Sequence, residues 1–329
     1  MVEQGEHTKM DQKIRHENDK LKGVLNNINK VILGKQDIVM LSLVAFMARG
    51  HVLLEDVPGV GKTVLVKALA KSFDCTFKRI QFTPDLLPSD VTGVSVFNPK
   101  TLDFEFRGGP IFGNIVLADE INRTSPKTQS ALLEGMEEDS VTIDGVTRQL
   151  NKPFFVMATQ NPIEYDGTYT LPEAQLDRFL LKLNLGYPTF YEEVELLART
   201  SEIHPIETLT EVMSKEELLD VQKQVKLVFV SKNVQHYIIE LSTATREHEY
   251  VHLGVSPRGS LALMEAAKAF AYLSGRDYVI PDDVKYLAPY VFSHRIRITS
   301  EAEYEGLTAE RIIDEILTNT TVPIRKESL

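Results

Sequence analysis

The sequence predicts an α/β domain followed by an all-helical domain, and three observations lead to that prediction. Short apolar runs alternate with helical patterns between about residues 21 and 187, which is typical of a parallel sheet covered by helices on both faces. Two period-two hairpin patterns interrupt this alternation, and only helical patterns follow residue 187. We therefore predict a flexible arm at residues 1–20, an α/β domain at residues 21–187 and a helical domain at residues 188–329.

Five apolar runs are the predicted strands of the sheet. Each run is short and is bounded by polar or turn-forming residues, as expected for strands that are buried on both faces. The runs occupy residues 51–55, 76–82, 115–119, 154–159 and 179–185.

The two hairpins are predicted from alternating apolar residues around turn signals. In residues 93–107, apolar and polar positions alternate on either side of the turn formed by Asn98 and Pro99. In residues 141–150, Asp144 and Gly145 form a dipeptide that favours a two-residue hairpin turn. Both hairpins are insertions into the strand–helix alternation.

Six helices are predicted in the second domain from apolar periodicity and capping residues. Ser231 precedes one apolar period, and Pro281 with two aspartates opens another helix, as the helix dipole favours. The predicted helices occupy residues 191–200, 214–223, 232–246, 260–274, 281–292 and 309–317.

Composition and charge narrow the functional class. A formal net charge of −11 argues against general binding of nucleic acid, because affinity for the phosphate backbone depends on Lys and Arg. A single cysteine cannot form an intramolecular disulfide and suits a reducing compartment. The N-terminus has no signal-peptide pattern, and no apolar stretch is long enough to span a bilayer. We expect a cytoplasmic protein without a transmembrane segment.

A glycine-rich phosphate-binding motif follows the first predicted strand and opens a helix. The backbone N–H groups of such a loop face the phosphates of a nucleotide, Lys62 reaches the β and γ phosphates, and Thr63 binds Mg²⁺. Asp56 stands where the motif normally begins with glycine, and it is among the residues that tolerate a left-handed backbone. The motif residues are Pro58, Gly59, Val60, Gly61, Lys62 and Thr63.

Two carboxylates follow the third predicted strand. Asp119 and Glu120 are placed at the carboxyl edge of the sheet, where open α/β folds bind ligands. We expect Asp119 to hold Mg²⁺ and Glu120 to orient or deprotonate the attacking water, because phosphoryl transfer depends on positioning and on charge neutralisation. Together with the glycine-rich loop, these carboxylates predict hydrolysis of MgATP.

Several ordered motifs resemble those of AAA+ ATPases, and within that class the chain looks like the MoxR family. The resemblance covers nearly the whole sequence. It rests on Ala-Asp-Glu-Ile-Asn-Arg at 118–123, Ala-Thr-Gln-Asn-Pro at 158–162, Leu-Pro-Glu-Ala-Gln-Leu-Asp-Arg-Phe at 171–179, and Gly-Val-Ser-Pro-Arg at 254–258. The first hairpin then corresponds to the family's helix-two insert and the second to its pre-sensor-one hairpin, and in related rings these elements face the pore or the client.

The resemblance implies roles for four further polar residues. Asn161 matches the sensor-one asparagine, which contacts the γ phosphate or the attacking water. Arg178 matches the arginine finger that reaches the ATP of a neighbouring subunit, although a surface salt bridge is its alternative. Arg258 matches sensor two, whose planar guanidinium suits γ-phosphate oxygens. Arg123 is an interface candidate only.

The resemblance also implies an adenine-binding segment. It comprises Val31, Ile32, Leu33 and Gly34, which without the resemblance read as an apolar helix end capped by glycine. With Val64 at the start of the helix after the loop, these residues complete the predicted nucleotide contacts.

The family implies a homo-oligomeric ring, six subunits in size, that remodels or activates a partner protein. Partners with von Willebrand factor A domains are typical of the family. An isolated subunit would lack the neighbour's Arg178, which is worth about 10³ to 10⁵ in rate. Two alternatives stay open: a nucleotide-switched assembly scaffold with little turnover, and a helicase stimulated by DNA, which the acidic charge disfavours.

Two other patterns suggest different chemistry. His248 and His252 lie in an H-E-x-x-H motif, but Gly254 and Pro257 follow so closely that a helix is not expected there, and no third zinc ligand is evident. Cys75 stands at the start of a predicted strand, so we expect a packed and inert thiol rather than a nucleophile.

Overall fold

The computed structural model describes residues 17–55, 59–160, 169–198 and 205–322. Its central element is a five-stranded parallel sheet with the order β2-β5-β8-β1-β9. This confirms the predicted α/β core, although three strands are shorter than their apolar runs and the fourth strand along the chain is shifted by one residue. The strands are β1 (Val52–Glu55), β2 (Phe77–Gln81), β5 (Ile115–Asp119), β8 (Phe155–Gln160) and β9 (Leu181–Leu183).

Alternate residues of each central strand face opposite sides of the sheet. Leu54 and Leu117 belong to the larger apolar cluster, which also contains the helices of the second domain. Leu53 and Val116 belong to a second cluster, which contains α5 (Pro126–Glu138). Both faces are therefore buried, which is why these strands read as continuous apolar runs.

Both predicted hairpins are present. The first pairs β3 (Gly93–Asn98) with β4 (Asp103–Gly108), and the short helix α4 (Pro88–Thr92) precedes it. The second pairs β6 (Ser140–Ile143) with β7 (Val146–Gln149). Asp144 and Gly145 both have positive φ angles, as a two-residue hairpin turn requires.

The second domain is helical, as predicted, but it also contains a small antiparallel ribbon. The ribbon pairs β10 (Val251–Leu253) with β11 (Arg297–Ile298) and was not predicted, because two- and three-residue strands leave no periodic pattern. α10 begins at Pro257 rather than at residue 260, because the Ser256 hydroxyl accepts from the Gly259 N–H and caps it there. The helices of this domain are α7 (Phe190–Ala198), α8 (Lys215–Leu227), α9 (Lys232–Glu247), α10 (Pro257–Leu273), α11 (Pro281–Phe292), α12 (Ser300–Tyr304) and α13 (Ala309–Asn319). The short helix α6 (Glu173–Leu176) belongs to the α/β domain, between β8 and β9.

Two helices precede the sheet. Residues 17–29 form α1, followed by α2 (Gln36–Met47). Residues 17–20, which were predicted as part of the flexible arm, are the first residues of α1. The Asn18 amide fixes this end of the helix, because it donates to the carbonyls of Tyr272 and Leu273 at 3.1 and 3.0 Å. Residues 1–16 lie outside the described residues. None of the described helices combines the length and apolar character needed to cross a bilayer.

Candidate nucleotide-binding site

A cavity of about 270 Å³ lies at the carboxyl edge of the sheet, where the two predicted phosphate-site motifs meet. The loop after β1 and the start of α3 (Lys62–Ser72) form one wall, and the ends of β2 and β5 form the other. The structure therefore brings together segments that are almost 60 residues apart in the chain. The lining residues are Gly59, Gly61, Lys62, Thr63, Arg79, Gln81, Asp119 and Glu120.

The glycines of the loop are required by backbone conformation. Gly59 and Gly61 have φ angles of 89° and 95°, a region that residues with a side chain rarely adopt. An added Cβ at either position would meet no atom within 4 Å, so space is not the constraint. Pro58 and Asp56 lie outside the described residues.

The start of α3 supplies positive potential to the cavity. Helix N-termini carry backbone N–H groups without intrahelical partners and favour anions. Lys62 is the first residue of this helix, and its side chain is largely buried at the cavity wall. This arrangement fits a phosphate group.

Asp119 and Glu120 are held by a buried threonine on the neighbouring strand. The Thr159 hydroxyl donates to Asp119 Oδ1 at 2.7 Å and accepts from the Glu120 N–H at 2.8 Å. Glu120 has a left-handed backbone, with φ 58° and ψ 48°. This unusual backbone, which costs free energy in a residue with a Cβ, turns the chain sharply at the strand end.

Two polar side chains of β2 also line the cavity, and neither was predicted from the sequence. Arg79 donates to Asp119 Oδ2 at 2.6 Å, and Gln81 donates to Glu120 Oε2 at 2.9 Å. They are two residues apart and so lie on one face of the strand. The alternation of polar residues at the end of β2 was the available signal, but it becomes interpretable only once β2 is known to pair with β5.

Arg123, predicted only as an interface candidate, also contacts Glu120. Its Nη1 donates to Glu120 Oε2 at 2.9 Å. Glu120 is thus hydrogen-bonded to both Arg123 and Gln81 of its own chain.

The donor set of the cavity fits Mg²⁺. Thr63 offers a hydroxyl oxygen and Asp119 a carboxylate oxygen on facing walls, and Mg²⁺ prefers oxygen ligands of this kind shared with substrate phosphates. Binding of Mg²⁺ would require the Asp119 carboxylate either to lose its hydrogen bond from Arg79 or to contact Arg79 and the metal at the same time. Magnesium would neutralise phosphate charge at this position.

Arg178 and Arg258 both pair with the Glu137 carboxylate and do not line the cavity. Within the described part of the chain, the cavity lining includes neither residue. Arg178 Nη1 lies 2.8 Å from Glu137 Oε2, and Arg258 Nη1 lies 3.0 Å from Glu137 Oε1. One carboxylate at the end of α5 therefore joins the predicted arginine finger and the predicted sensor-two arginine.

The predicted adenine segment lies against the junction between the two domains. An added Cβ on Gly34, whose φ is 68°, would meet the Glu192 carboxylate of α7. Lys35 donates to the Tyr187 carbonyl at 3.0 Å. A hydrogen bond from the Thr189 N–H lowers the pKa of Glu192. Of the other residues in this segment, Ile32 is buried, and Val31 and Leu33 are half-buried. Their contact with adenine stays a prediction.

The remaining predicted residues have simple placements. Asn161 lies outside the described residues. His248 caps the end of α9 and His252 lies on β10, so these histidines do not share a helical face. Among the described residues, no cluster of three or more His, Cys, Asp or Glu side chains is arranged to hold a metal. Burial raises the pKa of the Cys75 thiol to about 12, consistent with an inert residue.

The sheet, the glycine-rich loop, the strand-end carboxylates and the helical second domain define a AAA+ ATPase. The family model described as ATPase family associated with various cellular activities (AAA) matches residues 51–181, and a AAA lid model matches residues 243–316. We therefore refer to the helical domain as the lid.

Comparison with known proteins identifies the family. The chain is 61% identical to YeaC of Bacillus subtilis over 93% of this chain and 95% of that protein. It is 41% identical to Chaperone MoxR1 of Mycobacterium tuberculosis over 92% of this chain and 82% of that protein. A crystal structure of a candidate ATPase from Cytophaga hutchinsonii superposes with a TM-score of 0.90 at 41% identity, covering 97% of this chain and 99% of the other. The chain belongs to the MoxR family of AAA+ ATPases.

Proposed function

We propose that this chain hydrolyses MgATP in a ring of identical subunits, six by family expectation, and uses hydrolysis to remodel a partner protein. The observation that carries the proposal is the single cavity lined by Lys62, Thr63, Asp119 and Glu120. Lys62 and the helix start would hold the phosphates, Thr63 and Asp119 the magnesium, and Glu120 would orient the attacking water.

The proposed ring follows from the separation between this cavity and the two arginines. Arg178 and Arg258 are partly exposed, at 28% and 45% of their side-chain surface, and they are paired away from the cavity lining. Guanidinium groups at this surface can serve a phosphate that another copy presents. Hydrolysis should therefore depend on protein concentration.

The proposed partner is a protein, and a von Willebrand factor A domain is the first candidate. MoxR1 is named a chaperone, which supports a client but does not identify one for this chain. The β3–β4 hairpin offers a client-facing surface, because Phe97 and Phe104 are 48% and 67% exposed with their ring centroids 5.5 Å apart. Exposed aromatic pairs are typical of protein-binding surfaces. The proposed compartment is the cytoplasm.

The central test is steady-state phosphate release across a range of protein concentrations. Wild type should show a specific activity that rises with concentration, whereas Glu120→Gln should bind ATP and release almost no phosphate. Glu216→Gln, on the exposed first turn of α8, is the matched control and should behave as wild type. A scaffold with little turnover would instead show slow release that Glu120→Gln barely changes.

Mixed rings test the origin of the arginines. Arg178→Ala subunits mixed with Glu120→Gln subunits should recover activity, because some boundaries then combine an intact Glu120 with a neighbour's intact Arg178. No recovery at any ratio would contradict the ring proposal. Material that remains bound to the Glu120→Gln form in ATP would identify the client, with a purified von Willebrand factor A domain as the first candidate to test.

A further inference from the structure

Glu137 is the only carboxylate among the described residues that forms ion pairs with both Arg178 and Arg258. It lies in the last turn of α5, whereas Arg178 follows α6 and Arg258 is the second residue of α10. Each carboxylate oxygen takes a different guanidinium. Glu137 thus connects a residue of the core to a residue of the lid.

The same helix turn fixes the orientation of Arg178. Its Nη1 also donates to the Leu133 carbonyl at 2.7 Å, one turn before Glu137. The Arg178 Nε is buried and has no hydrogen-bond partner among the described residues. A guanidinium carries five N–H donors, and both of these contacts use Nη1. The remaining N–H groups of Arg178 can therefore donate to another acceptor, such as a phosphate oxygen.

Electrostatics explain why a carboxylate is needed between the two arginines. Two guanidinium groups that approach the same point repel each other, and a negative charge between them offsets that repulsion. All three side chains are partly exposed, so the pairs contribute little to folding stability. Their geometric effect is larger, because they bring two flexible side chains to one place.

We propose that Glu137 is a positioning residue that holds Arg178 and Arg258 together as one two-guanidinium site for the nucleotide phosphates of a neighbouring copy. This inference rests on the proposed function. Planar guanidinium groups form paired hydrogen bonds with phosphate oxygens. Without Glu137, the two guanidinium groups would not be held together before the neighbour binds. They would then have to be ordered during binding, and their contacts with the phosphate oxygens would be less well aligned.

The test compares Glu137→Ala with Glu137→Asp, and Glu216→Gln on the exposed first turn of α8 serves as the control. Glu137→Ala should lower kcat at saturating ATP by about 10- to 100-fold with little change in KM, because Lys62 and the loop glycines are untouched. Glu137→Asp keeps the charge and should recover part of the rate. Glu216→Gln should match wild type, and the melting temperatures of all three should be unchanged.

A double-mutant comparison shows whether Glu137 acts through the arginines. In an Arg178→Ala/Arg258→Ala background, adding Glu137→Ala should cause no further loss of kcat. A Glu137→Ala variant with wild-type kcat, or one with an equal additional loss in that background, would overturn the inference.

A second readout separates this inference from the proposed function. Association of Glu120→Gln subunits in ATP, measured by sedimentation, requires no hydrolysis and should weaken about tenfold when Glu137→Ala is added. If wild type fails to hydrolyse ATP but this weakening occurs, the proposed function is wrong and the role of Glu137 stands. If wild type hydrolyses ATP and Glu137→Ala changes neither readout, only the role of Glu137 is wrong.

Discussion

Arg295 of the lid donates from Nε to Asp177 Oδ1 at 2.7 Å, and Asp177 directly precedes Arg178. The same guanidinium donates to the carbonyls of Phe179 and Leu180 at 2.6 and 3.2 Å. Asp177 Oδ2 also accepts from the Ser256 hydroxyl, which caps α10 just before Arg258. One buried ion pair therefore secures the backbone on both sides of the core–lid junction that carries the two arginines.

Arg295→Met should lower the free energy of unfolding by about 3 kcal/mol, because it leaves Asp177 without its main partner and several buried carbonyls without donors. Burial lowers the pKa of Arg295 to about 10, so the side chain remains charged at neutral pH. Urea denaturation at pH 7 measures the change. Arg297→Met is the control, because the Arg297–Glu173 pair is exposed and should contribute under about 1 kcal/mol. Equal losses in the two variants would contradict this account.

Lys62→Ala should weaken ATP binding by about 100-fold or more, since a buried ammonium at the helix start would make charge-assisted contacts with phosphate. Binding of a fluorescent ATP analogue to the purified protein measures the effect. Lys67→Ala changes an exposed lysine of the same helix and should bind as wild type. Unchanged affinity in Lys62→Ala would remove the phosphate-site assignment.

Stability should fall as the pH is lowered from about 6.5 to 4, and His51 should be one cause. Burial lowers the pKa of His51 to about 4, against 6.5 in the unfolded chain. The ring contacts the Met136 carbonyl through Nε2 and accepts from the Val156 N–H through Nδ1, both at 3.0 Å, so the folded state needs neutral imidazole. The unfolded state gains a proton that the folded state excludes, which costs about 3 kcal/mol over this range.

The measurement is the pH profile of the free energy of unfolding for His51→Gln. Its profile should be flatter than that of wild type between pH 6.5 and 4. Some slope should remain, because burial also lowers the pKa of His294. His236→Gln, on an exposed position of α9, should retain the wild-type profile. Parallel profiles for wild type and His51→Gln would show that His51 is not responsible.

Cys75 should react slowly with iodoacetamide in the native protein at pH 8 and rapidly in urea. Burial raises the pKa of its thiol to about 12, so the reactive thiolate is scarce at pH 8. Mass spectrometry follows the reaction directly because the chain has one cysteine. Native labelling as fast as that of the unfolded protein would show that the thiol is accessible and ionised.

Much of the candidate phosphate site could be predicted from local sequence. A few adjacent residues are enough to predict the glycine-rich loop, the helix that begins at Lys62 and the acidic pair Asp119 and Glu120. This is because turn conformation and helix polarity are local properties. The five strands of the sheet could also be predicted from the sequence, since burial on both faces leaves continuous apolar segments. The ends of several strands and helices differed, and the short β10–β11 ribbon was not predicted.

The tertiary structure decided which side chains from distant segments meet. Arg79 and Gln81 reach Asp119 and Glu120 only because β2 pairs with β5, and no periodicity in the sequence specifies that neighbour. The bridge from Glu137 to Arg178 and Arg258 depends on how the lid packs against α5. Local patterns determined the elements and the motifs they carry, whereas strand order and domain packing, which follow from burial of the whole apolar surface, determined their contacts.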